Sequence, residues 1–355
     1  MWYDKFAADA FVDAYGNINW NYPKPQAPTL TANGPAQPSP YRAFDIAQGF
    51  ALNWLGVNAS YTADPIGGTI GLRVGPGAIQ YNAGPDNAYG LSIVKQAYGT
   101  WKPAAKWTLD FGKWDQPFGS EVADSQLNMN YGRSFLFWYV QPLFYTGLRV
   151  DYAAADQLDV KVFAANGWNN SIDNNRGKTF GAQVMIKPAD QFIAYLGYVG
   201  GPETTDVTAM GANVADANSN WRHMIDVVAD INPTKDLRFL FNFDYRTESG
   251  LATMGGGTHD ASVYGGNLVV RYNLSDAFNA ALRGEYLHDE HGDVLAQGNL
   301  EDFTLSLNYG IGNHLAFMFD NRLDIADNAI FAENTPGATM KSQFTTTLGI
   351  IASTK

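Results

Sequence analysis

Hydrophobic and polar residues alternate almost without a break over the first predicted element of this chain. The even-numbered positions are small, apolar or aromatic: Phe6, Ala8, Ala10, Val12, Ala14, Gly16, Ile18, Trp20 and Tyr22. The positions between them are mostly polar: Ala7, Asp9, Phe11, Asp13, Tyr15, Asn17, Asn19 and Asn21. Side chains that alternate in this way project to opposite faces of a β-strand. The pattern therefore predicts a strand with one apolar face.

The same period of two recurs along the chain and predicts sixteen strands. Their ranges are 5–22, 47–63, 67–81, 90–102, 106–115, 136–154, 157–167, 178–188, 191–200, 220–232, 236–247, 261–273, 277–288, 299–310, 314–324 and 342–353. A closed barrel with lipid outside and water inside is the common architecture that needs so many amphipathic strands and little else. We predict an all-β fold, a transmembrane antiparallel β-barrel that forms a single domain over residues 1–355.

The predicted connectors alternate between short turns and long loops, as they do in single-chain bacterial barrels. Short turns face the periplasm in such barrels, so both termini are predicted there. The predicted long loops are 23–46, 82–89, 116–135, 168–177, 201–219, 248–260, 289–298 and 325–341. The strand at 90–102 fits no single register, because Val94, Lys95 and Tyr98 cannot all occupy suitable faces. We expect a bulge or a register error there.

Composition favours the barrel over two other architectures. Hydrophobic residues make up 46% of the chain, yet no run approaches the ~18 residues that a transmembrane helix requires. Aromatic residues make up 14% and fall near both ends of the predicted strands, Trp168 among them, as expected for the two aromatic girdles of a membrane barrel. A soluble sandwich with aromatic edges is the alternative, but its sheets would not place aromatic residues at two levels.

Charged residues of both signs occupy the predicted inward face. The predicted pore-lining residues are Asp9, Asp13, Arg73, Asp110, Arg149, Asp151, Lys161, Asp226, Asp230, Arg238, Asp244, Arg246, Arg271, Arg283, Glu285, Asp320 and Arg322. A barrel of sixteen strands is wide enough for a water-filled lumen. Four of the arginines are predicted on neighbouring strands, and three of the aspartates near the closure of the barrel. This arrangement indicates either an electric field across the lumen or a set of weak ion pairs that keep the wall hydrated.

The loop at 116–135 is long and mixes polar with aromatic residues. Folded inward, it would narrow a pore, with Glu121, Asp124 and Arg133 as candidate constriction charges. An outward surface loop is the alternative, since the sequence does not give the direction of a loop.

Most of the net charge of −12 falls in the long loops. An acidic mouth concentrates cations and could bind divalent cations that bridge to lipopolysaccharide phosphates. The sequence pI near 4.7 argues against nucleic acid as a partner. The segment 288–293 has two histidines and three acids, but we interpret it as a solvated rim rather than a metal site. No catalytic or cofactor motif is present, so we expect neither enzyme activity nor a cofactor.

Several short segments resemble a known family. They are Phe11–Tyr15, Phe44–Asp45, Gln96–Tyr98, Leu109–Trp114, Phe118–Glu121, Asn128–Phe137 and Tyr145–Tyr152. Together they resemble the β-barrel porin-2 family, the OmpL-like porins of Gram-negative outer membranes, over roughly residues 6–200. The resemblance implies an outer-membrane porin that passes small hydrophilic solutes without a cofactor.

The first residues lack a signal-peptide pattern, so we interpret the sequence as a mature form or an engineered start. We predict a diffusion porin for small hydrophilic solutes and ions, with a mild cation preference. A substrate-specific channel and a plugged or structural barrel, such as a scaffold or an adhesin, remain alternatives. Analogy with other sixteen-stranded porins suggests a homotrimer.

Overall fold

The barrel closes completely in the computed structural model of this chain. The structure describes residues 2–23, 30–31, 34–35, 41–62, 65–82, 86, 89–203, 220–252, 258–292, 294, 297–335 and 337–354. Sixteen antiparallel strands follow one another around the ring, and the last strand pairs with the first. Since the ring has no free edge, backbone N–H and C=O groups find partners without water. The predicted fold class is confirmed.

The barrel strands are numbered β1 to β16 in chain order. Their bounds are Phe6–Asn19, Gly49–Tyr61, Ile66–Val74, Val94–Ala104, Trp107–Asp115, Phe144–Ala155, Leu158–Ala165, Thr179–Ala189, Phe192–Pro202, Trp221–Ile231, Leu237–Ala252, Thr258–Asn273, Phe278–Asp289, Gly298–Ile311, Leu315–Ala326 and Ser342–Ser353. The seam between β1 and β16 is in register from Phe11 opposite Ser353 to Asn19 opposite Thr345. Two short hairpins in the long loops pair Leu30–Thr31 with Gly34–Pro35 and Phe331–Ala332 with Thr339–Met340.

The two faces of each strand differ as the alternating pattern predicts. On β11, Phe241 and Phe243 are 39% and 36% exposed, whereas Asn242 and Asp244, which alternate with them, are at most 1% exposed. Apolar side chains therefore line the outer wall, and polar side chains point into the barrel.

Two predicted strands are shorter than expected. The range 67–81 ends as a strand at Val74, and Pro76–Tyr81 forms a helical turn, α1, instead. Gly75 makes this change possible with a φ of 144°, because a Cβ there would lie 2.5 Å from the carbonyl oxygen of Asn53. Pro76 then favours the start of a helix, since its ring fixes φ and it has no N–H to give to a strand ladder.

The predicted strand at 136–154 begins only at Phe144. Residues Leu136–Val140 form a π-helical turn that belongs to the preceding loop. Pro142 lies between this turn and the strand and cannot donate a ladder hydrogen bond. The loop after β5 therefore runs from residue 116 to residue 143.

The expected irregularity near Lys95 is a β-bulge. Gly71 pairs with Gln96 and Leu72 pairs with Val94, so Lys95 is the extra residue on β4. Because of it, Lys95 can turn inward and reach Asp115 and Asp124, while Val94 stays opposite the outward Leu72. Among the described residues, no helix is long and apolar enough to cross a membrane.

Candidate functional site: the barrel interior

Ion pairs run along the wall toward the short-turn end of the barrel. Arg149 binds Asp110 at 2.6 Å, and Arg238 binds Asp230 at 2.8 Å. Lys161 lies 3.3 Å from Asp151 in the same region. Each of these pairs joins directly neighbouring strands and is partly exposed. Their signs compensate locally, which favours hydrated ion pairs over a strong field at this end.

Aspartates near the seam are bonded to neutral groups instead. Asp9 accepts a hydrogen bond of 2.8 Å from the Asn58 amide. Asp13 accepts bonds from Asn53 at 2.8 Å, Ser125 at 2.6 Å and Tyr131 at 2.8 Å.

The same holds for Asp320, which accepts bonds from Ser306 Oγ at 2.6 Å and from the N–H of Gly132 at 2.8 Å. Serine, tyrosine and glycine from loop 116–143 therefore contribute to holding these buried carboxylates. The seam and the loop are connected through them.

The deepest charges form one network on β13, β14 and β15. Arg283 is fully buried and binds Asp302 at 2.5 Å. Arg322 binds Asp324 at 2.5 Å and lies 3.4 Å from Asp302. Glu285 on β13 faces the loop and accepts the N–H groups of residues 135 and 136 at 2.8 and 2.7 Å. The guanidiniums thus compensate the two aspartates, while Glu285 caps the start of the π-helical turn.

Loop 116–143 crosses the interior of the barrel. On one side its Asp124 forms a two-pronged ion pair with Arg73 of β3, at 2.9 and 2.8 Å. On the other side, Gln141 donates hydrogen bonds to Asn242 at 2.8 Å and Asp244 at 2.7 Å, both on β11. Strands β3 and β11 are half the ring apart. The loop is therefore bound to opposite walls and lies inside.

The middle of the loop follows the wall between these two points. Asn130 donates to Ser306 of β14 at 2.6 Å, and Arg322 of β15 donates to the carbonyl oxygen of Arg133 at 2.5 Å. Arg246 of β11 donates to the carbonyl oxygen of Tyr139 at 2.8 Å. Side chains that face the lumen are thus used to fix loop backbone.

The three candidate constriction charges are buried and partnered. Glu121 binds Arg283 at 3.0 Å. Arg133 donates to carbonyl oxygens of its own loop, at 2.8 Å to Val122 and 2.6 Å to Ala123. Burial would raise the pKa of Asp124, but Lys95 and Arg73 outweigh it and lower that pKa to about 2.

Apolar side chains also fill part of the interior. The loop residues Phe135, Leu136 and Val140 pack on inward-facing Val263 and Leu287. A second cluster places Met129 against these wall residues: Val228, Leu240, Val269 and Ala281. In the sequence, these apolar residues stand at inward positions of otherwise polar strand faces. Such positions indicate that another part of the chain covers the wall.

Open space remains beside the loop inside the barrel. A cavity of about 390 Å³ is lined by Gly119 and Ser120 of the loop and by the charged groups of Arg149, Lys161 and Arg238. A separate hollow of about 340 Å³ lies on the outer face at the long-loop rim, beside the outward-facing Trp221 and Tyr245, and its polar lining includes His223, Asp260, Ser262 and Glu290. The cavity beside the loop is bordered by charges of both signs, since Asp115 and Asp230 also line it.

Some interior residues were missed or misplaced by the sequence. Asp302 and Asp324 lie at the centre of the buried network, although neither was predicted to line the pore. Trp168, expected in an aromatic girdle, lies over the guanidiniums of Arg222 and Arg246, at 4.9 and 5.7 Å from ring centre to guanidinium carbon. Arg271 faces Arg238 across β11 and β12.

The histidine-rich segment near residue 290 has no metal-binding geometry within the part that the structure describes. His288 lies 2.7 Å from the amide oxygen of Asn299, and the ring of His291 contacts His259. Asp293, the last residue of that segment, lies outside the described residues. No group of three or more His, Cys, Asp or Glu residues is arranged for a metal among the described residues.

A comparison of the sequence with protein families decides to which family the chain belongs. The model described as "Putative beta-barrel porin-2, OmpL-like" matches residues 5–353. The chain belongs to this porin-2 family. The resemblance seen over residues 6–200 therefore extends through the rest of the barrel. No curated protein matches the sequence.

Solved structures share the fold of this porin-2 barrel at low sequence identity. An anion-selective porin from Comamonas acidovorans has a TM-score of 0.60 and 12% identity, covering 98% of this chain and 99% of the other. The outer membrane channel DcaP of Acinetobacter baumannii has a TM-score of 0.62 and 11% identity, covering 98% and 96%. The trimer form of the outer membrane protein OmpT of Vibrio cholerae has a TM-score of 0.62 and 11% identity, covering 98% of both chains.

Proposed function

We propose that this porin-2 barrel is a diffusion channel of the bacterial outer membrane, rather than an enzyme, and that it passes small hydrophilic solutes and ions. Loop 116–143 is its constriction. The observation that carries the proposal is the attachment of this loop to opposite walls, at Arg73 and at Asp244. A loop held across the lumen leaves a narrow aqueous path, which limits passage by size.

The channel favours cations mildly. Its net charge is −12, and Asp260 and Glu290 are exposed at the long-loop rim, whereas Glu248 beside them is paired with Arg222. Inside, Glu121 and Asp124 are compensated by Arg283, Arg73 and Lys95. The exposed acids at the mouth attract cations over a distance that salt limits.

The test is single-channel recording of the purified protein in a planar bilayer under a KCl gradient. Stable conductance steps with a reversal potential on the cation side would support both parts of the proposal. Steps with an anion-side potential would remove the cation preference and keep the channel. Block by one class of solute would instead point to a substrate-specific channel.

A plugged or structural barrel is the second candidate, and the apolar clusters between loop and wall favour it. Silence from well-folded protein would support that candidate. A variant with loop 116–143 shortened should then conduct where the complete chain does not.

The likeness to a structure described as a trimer supports a homotrimer. Outer-membrane lipid and lipopolysaccharide are the surrounding partners that the exposed apolar wall and the acidic loops suit. Sedimentation of the protein in detergent distinguishes a trimer from a monomer by mass.

A further inference from the structure

Two aspartates face each other inside the wall without a cation. Asp226 of β10 and Asp244 of β11 are directly opposite in register, and both are 0% exposed. No lysine or arginine pairs with either carboxylate among the described residues, whereas Asp302 nearby in the barrel has two arginines. Like charges directly opposite on neighbouring strands destabilise a sheet, and burial increases that repulsion. The pair therefore needs a compensating positive charge.

Neutral oxygen atoms without donors surround this pair. Gln141 donates through Nε2 to Asn242 and Asp244, which fixes the orientation of its amide, and its buried Oε1 has no partner. That oxygen lies beside Gly119, because a Cβ on Gly119 would be 2.2 Å from it. The N–H of Gly119 in turn donates to Asp226 at 2.9 Å. The free amide oxygen therefore lies beside a residue that bonds Asp226, while the nitrogen of the same amide bonds Asp244.

Two further side chains, and the carboxylates themselves, add to the same set of acceptors. Ser120, whose N–H donates to Asn242, has a buried Oγ without a partner. Asn267 lies opposite Asn242 in register, and its buried side-chain amide is also unpartnered. One oxygen of each carboxylate in the pair lacks a hydrogen bond as well. Acceptors without donors at this density are the ligands that a hard cation prefers.

A proton shared by the two carboxyl groups is the competing explanation. Asp226 and Asp244 are close enough to hydrogen-bond to each other. A proton would satisfy only the pair, however, and would leave the oxygens of Gln141 and Ser120 unpartnered in a buried site. A metal cation can be coordinated by several of these oxygens at once.

We propose that Asp226 and Asp244, with the side-chain oxygen of Gln141, bind one Ca²⁺ ion in the barrel wall. Two carboxylates match its charge, and Ser120 and Asn267, which both neighbour Asn242, are the candidates for further oxygen ligands. Gly119 and Ser120 also line the cavity beside the loop, so the ion can arrive through water. Because Gly119 and Gln141 are the two ends of loop 116–143, the ion would tie both to the same wall.

The experiment titrates CaCl₂ into EDTA-stripped protein in detergent and follows heat and unfolding temperature. We expect one tight site per chain and an unfolding temperature that rises with Ca²⁺. The variant Asp244→Asn should bind at that site at least tenfold more weakly. In EDTA, however, it should unfold at the same or a higher temperature than the native chain, because one of two facing charges is gone.

The matched control is Asp230→Asn, on the same pair of strands but bonded to Arg238. The Asp230→Asn variant should keep the tight Ca²⁺ site. Weak Ca²⁺ binding that survives in Asp244→Asn is assigned to the acidic loops. Equal Ca²⁺ affinity in the native chain and Asp244→Asn would overturn the proposal. An unfolding temperature that does not change with Ca²⁺ and changes only with pH would also overturn the proposal, and it would establish the shared proton. Neither readout requires conductance, so the result is independent of the proposed channel function.

Discussion

The arginines inside the barrel differ in how far water can reach them. Arg283 is fully buried and donates to four partners: Asp302, Glu121, Thr304 and the carbonyl oxygen of Gly132. Arg238 pairs with Asp230 at 2.8 Å, yet its side chain is 30% exposed. Buried charges that lose a partner are costly, whereas partly exposed pairs contribute little. Position, more than residue type, decides what each arginine contributes.

Replacing Arg283 with methionine should therefore destabilise the barrel strongly. We expect a loss of about 3–5 kcal/mol in the free energy of unfolding, since Asp302 and Glu121 would lose a buried counter-charge. Arg238→Met is the control and should cost less than about 1 kcal/mol. Urea unfolding in lipid vesicles measures both. Similar losses in the two variants would contradict the distinction by burial.

Asp124 provides a test by pH. Its pKa is lowered to about 2 by Lys95 and Arg73 against the opposing effect of burial, so its charge stabilises the fold at neutral pH and stops doing so as pH falls from about 4 to about 2. Asp124→Asn should lower the free energy of unfolding by at least about 2 kcal/mol at pH 7. The difference from the native chain should shrink across that acidic range. A difference that stays constant between pH 7 and pH 2 would exclude the charge as its source.

At the scale of elements, the strands were predictable and the loop was not. Lipid outside and water inside impose alternation on every strand, and this period is written directly in the sequence. The helical turn at Pro76 and the bulge at Lys95 depend on local backbone geometry, which a regular alternation of polar and apolar residues does not specify. The bulge at Lys95 was nevertheless predictable, because no single strand register placed both Lys95 and Val94 on suitable faces.

The site was predictable only in part for a related reason. The inward positions of residues such as Asp244 and Arg283 follow from parity, but their partners come from a loop far away in sequence. That Glu121 would meet Arg283, or Asp124 meet Arg73, depends on where loop 116–143 folds. No local pattern encodes that direction.

The packing of the loop on the wall can be tested with one glycine. A Cβ on Gly349 of β16 would lie 2.1 Å from the ring of Tyr131. Gly349→Ala should therefore displace Tyr131, break its bond to Asp13 and cost about 1–3 kcal/mol of stability. Gly99→Ala on β4 is the control, because nothing lies within 4 Å of its added carbon. Tyrosine fluorescence and urea unfolding report the effect, and equal stabilities of the two variants would disprove the contact.

At the scale of the whole molecule, acidic side chains such as Asp260 and Glu290 are exposed at the long-loop rim, whereas charges of both signs border the cavity beside the loop. Fields from exposed charges fade over about 10 Å at 0.1 M salt. The selectivity of the channel should therefore depend on the solution as well as on the protein.

We expect the cation preference to fall when the mean KCl concentration rises from about 0.1 M to about 1 M. The double variant Asp260→Asn with Glu290→Gln should reduce it at low salt. Asp156→Asn with Asp190→Asn, at exposed short turns, is the matched control and should reduce it less. Reversal potentials under a fixed KCl ratio provide the measurement. A preference unaffected by salt would place its origin deep in the lumen.

The contacts of Tyr131 and its neighbour bear on how the barrel resists splitting. Tyr131 bonds Asp13 of β1 and lies on Gly349 of β16, while Gly132 bonds Asp320 of β15. These three strands flank the joint between the two ends of the chain. Sideways opening of the barrel at that joint would have to break these loop contacts as well as the ladder of backbone hydrogen bonds between the strands. Loop 116–143, which crosses the interior of the barrel, therefore also holds the wall together at this seam.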